Sequence, residues 1–193
     1  MNTLLLPPSS RPPVRYLPLL KPLAQKWHIL APLLALVGGC FGILGAAYAE
    51  FFHGSILPAY IGAPIIEEAL KPSGIYLILA RWPRALRNQL YTSFLAALGG
   101  ICFAVIENLV YLNIYIDNPA YQLIFWRYTA GIGVHALCSF IFGWGINQKL
   151  MASIKGETKF LSFGKRFFFS AMALHSLYNI AVTVLQLRLK WLT

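Results

Sequence analysis

Apolar residues run along this chain in five long blocks, and charge collects in the short stretches between them. The blocks are His28 to Ala49, Ile56 to Ala80, Leu90 to Tyr111 with an extension toward Ile116, Tyr121 to Asn147, and Phe167 to Leu187. A helix needs about 20 mainly apolar residues to cross the hydrocarbon core of a bilayer. Each block is long enough, so the pattern predicts an all-α, polytopic transmembrane helical bundle of about five transmembrane helices. Gly38-x-x-x-Gly42, followed by Gly45 and Ala49, gives the first helix a small-residue face for close packing. Pro64 and Pro72 interrupt the second. Proline lacks the N–H that bonds the carbonyl four residues back, so Pro72 frees the carbonyl of Glu68.

Residues 1–27 carry six prolines with Arg11, Arg15, Lys21 and Lys26, and read as a basic, extended cytoplasmic arm ahead of a single transmembrane domain over 28–193. The arm and the four loops alternate basic, acidic, basic, acidic, basic, with Arg81, Arg84 and Arg87 in the second loop and Asp117 in the third. Cytoplasmic loops are enriched in lysine and arginine, so the alternation predicts a cytoplasmic amino terminus and a prokaryotic inner-membrane location. Ala47-Tyr48-Ala49 resembles a signal-peptidase site, but the apolar run before it exceeds an ordinary signal core, and an uncleaved helix is the favoured reading.

Composition agrees with a membrane protein. The 193 residues are 58% hydrophobic and 11% charged, against about 25% charged in a soluble domain. The net charge of +10 sits between apolar segments and not along one face, which argues against a nucleic-acid partner and for the lipid bilayer. Cys40, Cys102 and Cys138 are too widely spaced for a disulfide framework or a zinc cluster and read as small buried hydrophobes.

Within these blocks stand Glu67, Glu68, Lys71, Glu107, Asn108, His135, Ser139, His175 and Asn179. Three of the chain's six acidic residues and two of its four histidines are therefore at bilayer depth. An ionisable group there costs several kcal/mol and marks function by default. Lys71 follows Glu67 by four residues and Glu68 by three, within reach of either carboxylate. His135 and Ser139, like His175 and Asn179, share a helix face. A lone buried histidine is usually a satisfied core residue, but two histidines and three glutamates on separate helices point to shared chemistry.

Two chemistries suit the set. A glutamate acts as general base on water while histidine or asparagine donates to the oxyanion. Alternatively Glu67, Glu107, His135 and His175 hold a divalent metal, zinc foremost, with water in the open position. Both hydrolyse a peptide bond. The zincin sequence H-E-x-x-H is absent from the chain, and Ser139 lacks a base and orienter for serine catalysis.

Glu67-Glu68-x-x-Lys71, Phe103-x-x-x-Glu107-Asn108, His135-x-x-x-Ser139 and His175-x-x-x-Asn179, in this order, resemble the PrsW-type intramembrane proteases. These are related to the type II CAAX prenyl endopeptidases and the Abi bacteriocin-immunity group. The resemblance runs from about Ala59 to Ile180. The prenyl endopeptidases place arginine one position further along in the first motif and histidine in the second, where this chain has Lys71 and Glu107. The resemblance implies Glu67 and Glu68 as the catalytic pair, completed by Glu107 and His175. It implies Asn179 at the oxyanion and His135 as a further ligand or donor, with Lys71, Asn108 and Ser139 in support. The activity it implies is cleavage of membrane-anchored regulators such as anti-sigma factors, and it leaves a metal-free glutamate mechanism and a metal mechanism equally open. A proton-coupled transporter, an immunity-type binding protein and a prenyl-protein endopeptidase remain the alternatives.

Overall fold

The computed structural model describes residues 24–51, 57–148, 150, 157 and 164–190. Most of the basic arm, the first loop and most of the loop over 149–166 lie outside the described residues. The described residues contain helices and no strand, as the apolar blocks predict. In chain order the helices are α1 (Trp27–Gly39), α2 (Ile43–Phe51), α3 (Ala63–Leu70), α4 (Ser73–Arg81), α5 (Gln89–Val110), α6 (Tyr121–Trp126), α7 (Ile132–Trp144) and α8 (Lys165–Lys190).

Several of these join end to end. A short 3-10 segment, Cys40–Gly42, links α1 to α2, and Ala47 to Ala49 lies inside α2. A π-helical turn, Pro58–Gly62, leads into α3. Another, Tyr111–Tyr115, extends α5. A third, Arg127–Gly131, joins α6 to α7. Among the described residues, three helical stretches are long and apolar enough to cross a membrane: Trp27–Tyr48, Gln89–Tyr115 and Lys165–Leu185. The two remaining blocks are composite. One breaks between α3 and α4 at Lys71 and Pro72, where the Leu70 carbonyl accepts the Ser73 hydroxyl at 2.5 Å. The other carries Arg127 within its π turn.

Packing follows side-chain size in the sense expected of a membrane bundle. On α1 the buried positions are Trp27, Ala31, Ala35, Gly38 and Gly39, while Ile29, Leu33 and Val37 face outward. Lipid tails are as apolar as leucine, so helices associate through small residues that let backbones approach. A Cβ on Gly38 would strike the backbone of Gly74, and one on Gly39 that of Gly99. These contacts pin α1 to α4 and to α5, which in turn packs extensively on α7.

The chain runs up and down. The tilted rings of Trp27 and Trp82 meet with centroids 5.0 Å apart, Arg87 meets His28 at 2.6 Å, and Gln89 donates to the carbonyls of Gly143 and Ile146. The start of α1, the end of α4, the start of α5 and the end of α7 therefore share one end of the bundle. That end carries Arg81, Arg84 and Arg87 and is plugged by an apolar core that includes Ile75, Ile78, Leu95, Phe142 and Ile146. The polar residues lie beyond this plug. Of the cysteines, Cys138 is buried as expected, but Cys40 is exposed and Cys102 half-buried. Cys40 belongs to the 3-10 link, on the outward side of the Gly39 contact, so its thiol is not part of the core.

Candidate active site

α3 is the element that positions the carboxylates. Pro64 at its first turn has no N–H to leave unsatisfied, and Pro72 ends it one residue after Lys71. One turn of helix thereby presents Glu67, Glu68 and Lys71 to the interior, all buried. The wall opposite is glycine. A Cβ on Gly45 of α2 would run into the Glu67 side chain, and one on Gly42 would fall 2.8 Å from the Lys71 Cγ and 2.7 Å from the Phe103 ring. The first apolar block is thus part of the site, although the motif resemblance begins only after it.

Lys71 Nζ lies 2.7 Å from Glu68 Oε1, 3.4 Å from Glu67 Oε2 and 2.9 Å from His135 Nδ1. It also sits 4.1 Å from the centroid of Phe103. An ammonium has donors only, so Nδ1 of His135 accepts and the proton of that ring belongs on Nε2. There it faces Glu107 Oε2 at 3.2 Å. His175 is held the other way round. Its Nδ1 meets Glu68 Oε1 at 2.9 Å, and its Nε2 stands 3.7 Å from Glu67 Oε2. The two imidazoles cross edge to face, with centroids 4.7 Å apart.

Glu67, His135 and His175 each offer a donor atom, and these three atoms lie within 4.8 Å of one another. Glu107 is not in that triangle. It backs the far nitrogen of His135 and reaches Arg127 at 3.3 Å. Arg127 is gripped by Asn108 through two bonds of 2.9 Å and lies 3.9 Å over Tyr111. The pair Glu107–Arg127 is the exposed edge of the cluster, each side chain 21% accessible, while Lys71 and Glu68 are fully enclosed.

A family model described as PrsW family intramembrane metalloprotease matches residues 26–192. The chain belongs to the PrsW family. No curated protein and no solved structure matches it. Membership in this protease family makes it an intramembrane peptidase in kind, and the match takes in α1 and α2, which wall the site.

For this PrsW-family chain, the structure brings Glu67, Glu68, Lys71, Glu107, His135 and His175 into one connected cluster, with Asn108 at its edge through Arg127. Ser139 and Asn179 are not joined to it. The Ser139 hydroxyl is buried, without a hydrogen-bond partner among the described residues, and pressed toward Gly100 of α5. Asn179 is half-buried one turn after His175, and among the described residues no hydrogen bond ties its side chain to the cluster. Arg127 is the member that motif reading passed over. Its signal is a lone cation near the start of the fourth apolar block, the kind of residue that membrane depth makes costly without a partner.

Proposed function

We propose that this protein is an endopeptidase that hydrolyses a peptide bond of single-span, membrane-anchored proteins, such as regulators of the anti-sigma-factor kind, at a metal centre formed by Glu67, His135 and His175. One observation carries the reading. Two imidazoles converge on one buried carboxylate, and each has its other ring nitrogen on a second carboxylate, Glu68 for His175 and Glu107 for His135. Metal-ligating histidines almost always donate their remaining N–H in this way, which fixes the tautomer and raises ligand basicity. Two nitrogens and one oxygen form a donor set that suits zinc with an open fourth position.

Glu67, His135 and His175 would hold a divalent ion, which would supply an activated water and polarise the scissile carbonyl. The remaining work falls to the chain. Glu67 has the longest contacts of the glutamate pair; it would hold the ion through one carboxylate oxygen and take the water's proton on the other. Glu68, held at 2.7 Å by Lys71 and at 2.9 Å by His175, orients His175. Arg127 holds Glu107, and Glu107 holds His135. The Asn179 amide, one turn from His175 and uncommitted among the described residues, donates to the developing oxyanion. The apolar plug at the basic end excludes water from that side, and water enters past Glu107 and Arg127.

On the same proposal the protein sits in a prokaryotic inner membrane with the basic end cytoplasmic, which the arginines at that end support, and its partners are the bilayer and the protein substrate. The test compares membrane-protein termini in cells making wild type or Glu67→Gln at matched membrane abundance. Cleavage predicts a new terminus beside a membrane segment with wild type alone. Identical termini under inducing stress would instead favour transport or binding.

A further inference from the structure

Lys71 is among the largest fully buried side chains of the described residues, and its ammonium stands among the very groups assigned to the metal. Each of its short contacts draws on a lone pair, because an ammonium only donates. Two of those lone pairs, on Glu67 Oε2 and His135 Nδ1, are on residues of the donor triangle, and for His135, Nδ1 is the nitrogen not facing Glu107. His135 has no spare nitrogen to offer instead, since Nε2 faces Glu107 at 3.2 Å. Glu68 Oε1, the closest partner of Lys71 at 2.7 Å, lies outside the triangle and can keep the ammonium when the other contacts are given up.

We propose that Lys71 is a built-in cation that competes with the metal for Glu67 and His135. On this reading, which rests on the metal centre proposed above, the lysine neutralises the paired glutamates in the bundle interior and sets a ceiling on metal affinity. Binding then requires the ammonium to withdraw onto Glu68, and the metal remains exchangeable. A lysine that only held the carboxylates in place would have the opposite effect. Removing it would disorder the ligands and weaken binding.

The sign of the change decides between these. Full-length wild type and Lys71→Met, purified in detergent, are titrated with Co²⁺ and followed by its d–d absorption. Thermal unfolding is recorded with and without the ion. Competition predicts that Lys71→Met binds Co²⁺ about 10- to 100-fold more tightly, the scale on which neighbours of a metal site tune its affinity. Its unfolding midpoint should be below that of wild type without the ion and should rise more on adding it. Equal or weaker binding by the variant would overturn the proposal while leaving the metal centre standing. No binding by either protein would remove the metal centre itself. Should Lys71→Met not accumulate, Lys71→Gln keeps a donor for Glu68 while dropping the charge, and the same signs apply.

Discussion

Glu67 and Glu68 are adjacent in sequence and carry the same chemistry, yet their surroundings separate their roles. Glu68 is fixed by two short bonds on one oxygen, whereas Glu67 faces the histidines at longer range. Glu68→Gln should therefore lose about 10- to 100-fold in metal affinity, as for other partners of ligating histidines, and recover cleavage in excess metal. Glu67→Gln should lose cleavage at any metal concentration. Cleavage of a fixed reporter substrate across a zinc titration separates the two, and identical behaviour would remove the division of labour. Arg127 is a positioning residue one step further out. Arg127→Lys keeps a cation for Glu107 and should retain more metal affinity than Arg127→Met, with both variants folding alike by circular dichroism. Equal affinity in the two would make the Arg127–Glu107 pair merely structural.

At the scale of elements, the helices were legible because their periodicity did not matter. Length and apolarity alone mark a membrane segment, and Pro72 marks the break in the second one. The contacts between helices were not legible. Nothing in Glu107 announces that it backs His135 on another helix, or in Arg127 that it closes over Tyr111, because those pairings depend on how the helices rotate. Glycines offer a way to probe that arrangement. Gly74→Ala would drive a methyl into the Leu34 carbonyl, a backbone atom that cannot step aside, and should destabilise the bundle by about 1–3 kcal/mol, the usual range for overpacking. Gly133→Ala meets nothing within 4 Å and should leave both stability and activity unchanged. Gly45→Ala presses on Glu67 itself and should depress cleavage more than it lowers the unfolding midpoint. Thermal unfolding in detergent alongside the reporter assay checks all three.

For the molecule as a whole, one end is basic and sealed by apolar packing, and the polar cluster opens toward the other through Glu107 and Arg127. Removal of the first helix at Ala49 would strip away Gly42 and Gly45, which lie against Lys71, Phe103 and Glu67. These contacts favour retention of that helix, and N-terminal sequencing of the membrane-bound protein should find a start before Ala49. Reporter fusions should find Arg84 on the cytoplasmic side and Asp117 on the outer side, and the reverse result would invert the assigned direction of water access. The residues that the motif order picks out lie in one cluster apart from Ser139 and Asn179, and the choice of a metal belongs to the function proposed above. The most direct measurement is the zinc bound at equilibrium, in dialysis against micromolar zinc, by folded, purified wild type beside Glu67→Gln, His135→Ala and His175→Ala. The account predicts about one zinc per chain in wild type, the stoichiometry of a single three-ligand site, and almost none in each variant. Cleavage-competent wild type that holds no metal, or variants that keep it in full, would contradict the metal centre.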